Sequence, residues 1–146
     1  MRSMLPSHPS PDEVEQSFYE ALQSGCIEDL MACWTDEDEP VCVQPAGPRL
    51  VGLRAIRESF AAMFDHGPIS VQPEVIHRAL HGDCAIHSVV ETVVVSGDEG
   101  LVEASLLATN VYVLTAAGWR LALHHASPGG MKPMAAVDAA ARQYLH

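Results

Sequence analysis

The order of segments along this 146-residue chain predicts an α+β domain: a cone-shaped, curved antiparallel sheet packed on three N-terminal helices. Three observations predict it. Apolar residues recur at helical spacing only before Pro68 and again near the C-terminus. Four long segments rich in Val, Ile and Leu follow Pro68. The Gly-bearing turns between them are too short for crossovers, so neighbours pair as an antiparallel meander. Helices held to one face of such a sheet make an α+β fold. A sheet that curls over them leaves a hollow with an apolar mouth.

Residues 1–11, rich in Pro and Ser, read as a flexible tail. Ser10-Pro11-Asp12-Glu13 opens the first helix with a capping Ser, a Pro at the first position and acids in the first turn. Val14, Phe18, Ala21 and Leu22 then share a face, and Ser24-Gly25 closes it. A short second helix carries Ile27, Leu30, Met31 and Trp34. Thr35 to Pro40 is an acidic loop, Val41 to Pro45 a short strand, and Ala46-Gly47-Pro48 a turn. Gly52 precedes a third helix striped by Leu53, Ile56, Phe60, Met63 and Phe64, which His66-Gly67-Pro68 ends. The strands are Ile69–Leu80, Cys84–Val95, Glu103–Leu114 and Trp119–Ala126, and Pro73 argues for an edge or a bulge in the first. The folded domain spans residues 12–128. Residues 129–146 read as a C-terminal extension, helical from Pro133 to Leu145.

Composition excludes several functions. With 19 Asp and Glu against 8 Lys and Arg, the net charge of −11 repels nucleic acid and anionic lipid. No apolar run approaches the ~20 residues of a membrane helix. The first residues lack the apolar core of a signal peptide, so a cytoplasmic location is expected. Cys26, Cys33, Cys42 and Cys84 are widely spaced in apolar contexts and read as free thiols. There is no CxxC pair, and His77 and His81 lie on a strand rather than a helix, so no metal site is expected.

The most informative stretch runs from Thr109 through Gly118 to Pro128, two strands and a turn, and ends in His124-His125. A strand sends neighbours to opposite faces, so one imidazole points inward. If Leu114 pairs with Trp119, then Asn110, Tyr112, Trp119, Leu121 and His125 share a wall. This makes His125 the candidate acid–base residue, the plain alternative being a structural histidine. His87 is the candidate second group. It shares a face with Glu91, at four residues' separation, and a polar outer face toward solvent or a partner is the plain reading of that pair. Trp34, Gln44, Phe60, Phe64, Asn110, Tyr112 and Trp119 are the candidate ligand-binding residues. The aromatic ones among them also suit a core.

Three stretches carry a family resemblance: Phe18-Tyr19-Glu20-Ala21-Leu22 with Leu30 to Trp34; Val41 to Pro45 with Leu50 to Arg57; and Gly118-Trp119-Arg120-Leu121 with His124 to Ser127. On these the chain resembles the nuclear transport factor two-like superfamily, near its SnoaL-like and ketosteroid-isomerase-like branches. The resemblance covers about residues 12–128. It implies a cystatin-like cone, a homodimer through the sheet, and a pocket for a small-molecule ligand. The pocket would serve isomerisation, cyclisation, dehydration or plain binding, without a cofactor. The isomerase pattern is not met: its tyrosine falls on Phe18 with Tyr19 pointing elsewhere, its base on Gln44 before Pro45, and its second acid near Thr109 or Asn110. An amide has no titratable proton and is no general base.

Overall fold

The computed structural model describes residues 5–133. Helix α1 (Pro11–Ser24) begins with a complete capping box: Ser10 Oγ accepts from the Glu13 N–H, and Glu13 Oε1 accepts from the Ser10 N–H. Gly25 ends it at φ 71°. Helices α2 (Ile27–Ala32) and α3 (Leu53–Phe64) follow, α3 entered through Gly52 at φ 92°. No helix among the described residues is long and apolar enough to cross a membrane.

The strands are β1 (Val41–Val43), β2 (Arg49–Val51), β3 (Val71–His81), β4 (Cys84–Gly97), β5 (Gly100–Thr115) and β6 (Gly118–Pro133). They form one six-stranded sheet in the order β2-β1-β6-β5-β4-β3. The four long strands make the expected meander. Two differences arise outside it. Arg49–Val51 is a strand that folds back on β1, and β1 runs parallel to β6. Strand β6 continues to Pro133, so the sequence-based domain boundary at residue 128 falls inside a strand. The helix expected from Pro133 to Leu145 lies, from residue 134 on, outside the described residues.

The tail reading is corrected at its end. Pro9 is buried, and its carbonyl accepts the Trp119 N–H at 3.0 Å. His8 and Pro9 press on Gly118 so closely that a Cβ there would sit 2.6 Å from His8 Cα.

Curvature comes from three single-residue bulges, at Ile76 in β3 and at Ala122 and Gly129 in β6. The bulge at Ala122 has the largest consequence. Leu114 pairs with Trp119 as the sequence suggests, and Tyr112 with Leu121, but Val111 pairs with Leu123. The extra residue shifts β6 by one from Leu123 to the next bulge at Gly129, which exchanges its faces over that stretch. His124 therefore stands opposite Asn110 and is buried, while His125 is exposed on the outer face.

The core lies between the inner sheet face and the helices. Val14, Phe18, Leu30, Ile56, Val89, Ala108, Tyr112 and Leu121 fill it. All four cysteines are free, and burial pushes the Cys33 and Cys42 thiols up to about 12. At Gly118, φ is 105° and the space is filled, so Gly118→Ala is expected to cost about 1–3 kcal/mol in urea unfolding. An unchanged midpoint would show that residues 8–9 are not docked there.

Candidate functional site

Four elements send polar side chains into one buried cluster. Helix α1 supplies Glu15 and Tyr19, one turn apart on the face that also buries Phe18 and Leu22. Strand β4 supplies His87 and Glu91, strand β5 Asn110 and Tyr112, and strand β6 His124. Each strand contributes at alternate positions of its inner face, as the pleat requires.

The cluster is joined by hydrogen bonds from end to end. Tyr19 Oη donates to Glu91 Oε2 at 2.6 Å. Asn110 Nδ2 donates to Tyr19 Oη at 3.1 Å and to Glu15 Oε2 at 3.2 Å. Tyr112 Oη donates to Glu15 Oε2 at 2.7 Å. His87 Nδ1 lies 3.0 Å from both Glu15 oxygens. His124 Nδ1 lies 2.6 Å from Asn110 Oδ1, and its Nε2 lies 3.8 Å from Glu91 Oε2. Such satisfaction is what makes seven buried polar side chains tolerable.

One end of the cluster opens into a cleft of about 90 Å³ between α3 and the sheet. Glu91 and His124 meet it, with Gln44, Phe60, Met63 and Val71 among the other walls. Gln44 is held by Ser59, whose Oγ donates to Oε1 at 3.3 Å. The electrostatics of the pair are unusual. Burial raises the Glu91 carboxyl above its ordinary range, partly offset by the Tyr19 hydrogen bond. Burial, then the neighbouring His125, lowers His124 to about 4. Burial chiefly, with Glu91 and Glu15 respectively, raises the Tyr19 and Tyr112 phenols, which stay protonated donors. At neutral pH the cleft floor thus holds an uncharged imidazole beside a carboxyl whose ionisation is opposed.

The other end faces a second surface hollow, where His87 Nε2 lies 3.9 Å from Asp12 Oδ1. Ligand atoms of Asp12, Glu15 and His87 come within 4.8 Å of one another, a grouping able to hold a metal ion. Arg78 Nε stands 2.9 Å from Asp12 Oδ1 and already neutralises that carboxylate.

The residues singled out in the sequence fall in different places. Gln44 and Phe60 line the cleft, and Phe64 packs beside Phe60 with ring centroids 6.3 Å apart. His87, Asn110 and Tyr112 are inside the cluster. Trp34 is core, 6.1 Å from Phe18 between ring centroids, and its Nε1 has no hydrogen-bond partner among the described residues. Trp119 flanks the core. His125, expected on the inner wall, faces outward for the reason given by the bulge, and its partner His124 takes that place. The solvent-facing reading of His87 and Glu91 is also corrected, since both are under 5% exposed. Tyr19 points into the cluster rather than away from it. Glu15 was missed altogether. An acid one position after Val14 on an amphipathic helix reads as the edge of its polar face.

A model of the SnoaL-like domain matches residues 12–131. The chain belongs to the SnoaL-like domain family. Among solved structures, a protein assigned as a calcium/calmodulin-dependent protein kinase type II association domain from Thiobacillus denitrificans is 33% identical. The match covers 86% of this chain and 99% of that one, with a TM-score of 0.76. A protein assigned as a dehydratase of the NTF2-like family from Streptomyces avermitilis is 30% identical over 80% of this chain and 92% of that one, TM-score 0.71. A ketosteroid isomerase-like protein from Erwinia carotovora atroseptica shares the fold at 16% identity, over 82% and 93% of the two chains, TM-score 0.70. No curated protein sequence matches.

Because folded His124 resists protonation, it stays neutral while the unfolded side chain, with a pKa near 6.5, takes up a proton. Its contribution is present above pH 6.5 and is lost as the pH falls toward about 4. Relative to His124→Phe, the wild type is therefore expected to lose on the order of 3 kcal/mol over that window, read from urea unfolding at stepped pH. Parallel profiles for the two proteins would contradict it.

Proposed function

We propose that this SnoaL-like domain binds a small uncharged molecule in the α3–sheet cleft and transfers a proton on it, without a cofactor. The observation that carries the reading is the Glu91–His124 pair at the cleft floor, 3.8 Å apart, with pKa values displaced toward each other. Among the described residues lining the cleft there is neither Lys nor Arg. An anionic substrate would lose its hydration there with no cation to replace it. The volume of about 90 Å³ suits the reactive end of a ligand, being about three waters at ~30 Å³ each.

In this reading His124 Nε2 takes a proton from carbon beside a carbonyl. The carbon's electron pair forms the new double bond, and Glu91 donates its proton to the departing hydroxyl, which leaves as water. An imidazole with a pKa of about 4 is a weak base at rest. It strengthens as Glu91 becomes an anion beside it, so the two transfers assist each other. The proton on His124 then passes back to Glu91 and restores the pair. Without a leaving group the same two residues support isomerisation. Gln44 Nε2, which donates to Met63 Sδ at 3.3 Å, is the donor for the ligand oxygen.

The test uses cyclohexanone, 3-hydroxycyclohexanone and phenol with histidine-labelled protein. Saturable shifts of the His124 ring signals are expected. Protein-catalysed deuterium uptake at the ketone α-carbons should fall at least ~100-fold in His124→Ala and Glu91→Gln, each checked for an intact backbone spectrum. Neither shift nor exchange with any of the three would sink the reading.

A second reading, self-association through the outer sheet face, has its own support. Ile76 and Leu107 are 59% and 54% exposed beside a hollow of about 410 Å³ that His125, Thr109 and Ser127 also line. The Thiobacillus denitrificans relative is assigned as an association domain. Leu107→Glu is expected to reduce the sedimenting mass to that of one chain. A multimer of unchanged mass would remove this face from the assembly.

A further inference from the structure

The cleft histidine makes its Nδ1 contact with an amide, and that amide has further partners. Asn110 is fully buried and every polar atom of its side chain is engaged. Its Nδ2 points at two acceptors, Glu15 Oε2 and Tyr19 Oη. The phenol proton of Tyr19 is committed to Glu91, so its oxygen can only accept from Asn110. Glu15 Oε2 already receives the Tyr112 hydroxyl and lies beside His87 Nδ1. Turning the Asn110 amide over would set its oxygen against two acceptor oxygens. That arrangement costs two buried hydrogen bonds and adds repulsion. The amide has one allowed orientation, and in it Oδ1 faces His124 at 2.6 Å. An oxygen there accepts only from Nδ1–H, which leaves the Nε2 lone pair aimed at Glu91 and the cleft.

We propose that Glu15, acting through Asn110, is a positioning residue that fixes the tautomer of His124 so that Nε2 is the free nitrogen in the cleft. Glu15 touches nothing in the cleft; it works by supplying an acceptor oxygen to Asn110 Nδ2. The acceptor matters here, and not the charge. In Glu15→Gln the amide oxygen takes the Oε2 position, where Tyr112 and Asn110 donate, and the amide nitrogen takes the Oε1 position beside His87. Asn110 keeps its orientation and His124 keeps its tautomer. In Glu15→Leu, Tyr19 Oη is left as the one acceptor of the two for Asn110 Nδ2, one of the two bonds that hold the amide is gone, and the Nε2–H form of His124 becomes accessible.

This inference rests on the acid–base reading of the cleft, yet its measurement is independent of any ligand. Long-range proton–nitrogen correlation spectra of nitrogen-15 histidine-labelled protein at pH 7 report which ring nitrogen carries the proton. His124, identified by the signals missing in His124→Gln, is expected to show Nδ1 protonated and Nε2 bare. Glu15→Gln should leave that pattern unchanged, while Glu15→Leu should bring in the Nε2–H form. The Nε2–H form in the wild type would overturn the proposal. So would a single Nδ1–H form in a folded Glu15→Leu protein, or an Nε2–H form in Glu15→Gln. If Glu15→Leu does not fold, the wild type and Glu15→Gln decide it alone. A correct tautomer in a protein that binds none of the three cleft probes would refute the function and leave the positioning intact.

Discussion

A single extra residue in one strand decides what the interior of this domain can do. Ala122 has no partner on β5, and from there to the next bulge at Gly129 the faces of β6 are exchanged. Without it the chain would place Thr109 and Ala108 opposite His124 and His125, and the outward ring would be the other one. Because the side-chain period of a strand is two residues, no graded outcome exists between these arrangements. The inner place of His124, its bond to Asn110, its distance to Glu91 and the cleft floor all follow from that one offset.

The same interior shows how a small domain carries seven polar side chains at no ruinous cost. Each group is placed so that donors meet acceptors in sequence, from the Glu91 end near α3 to the His87 end near Asp12. An amide sits in the middle of the chain. It transmits orientation and dipole, but it passes no proton at working pH, so the two ends are mechanically linked while remaining chemically separate. The proton transfer proposed above would thereby be confined to the end that opens on the α3 cleft. Apolar walls there strengthen every charge effect by excluding water, and they explain why burial raises the Glu91 carboxyl and lowers the His124 imidazole.

Much of the fold was legible along the chain. The capping signal at Ser10–Glu13, the stop at Gly25, the third helix after Gly52 and the three hairpin turns are local features with local causes, and each stands where its residues predict. Of the site, Asn110 and Tyr112 were visible because strand periodicity puts them on one wall, and Phe60 because it lies on the apolar stripe of its helix. Glu15 and Tyr19 were not, because an acid and a phenol on an amphipathic helix look like its solvent edge until the sheet that covers them is in place. His87 and Glu91 were placed toward solvent for a related reason: burying a polar pair is costly unless partners from other elements arrive, and no single segment displays those partners.

The sequence alone determined the class of fold, the order of the three N-terminal helices and four long strands, and that the two histidines face opposite ways. Those depend on near neighbours, on turn chemistry and on the two periods of helix and strand. The tertiary structure alone decided which histidine is inside, that Val41–Val43 runs parallel to β6, and that acids from α1 and β4 meet imidazoles from β4 and β6. A bulge satisfies no local signal. It is set by how far a curved sheet must bend to close over its helices, and that is a property of the whole assembly of strands.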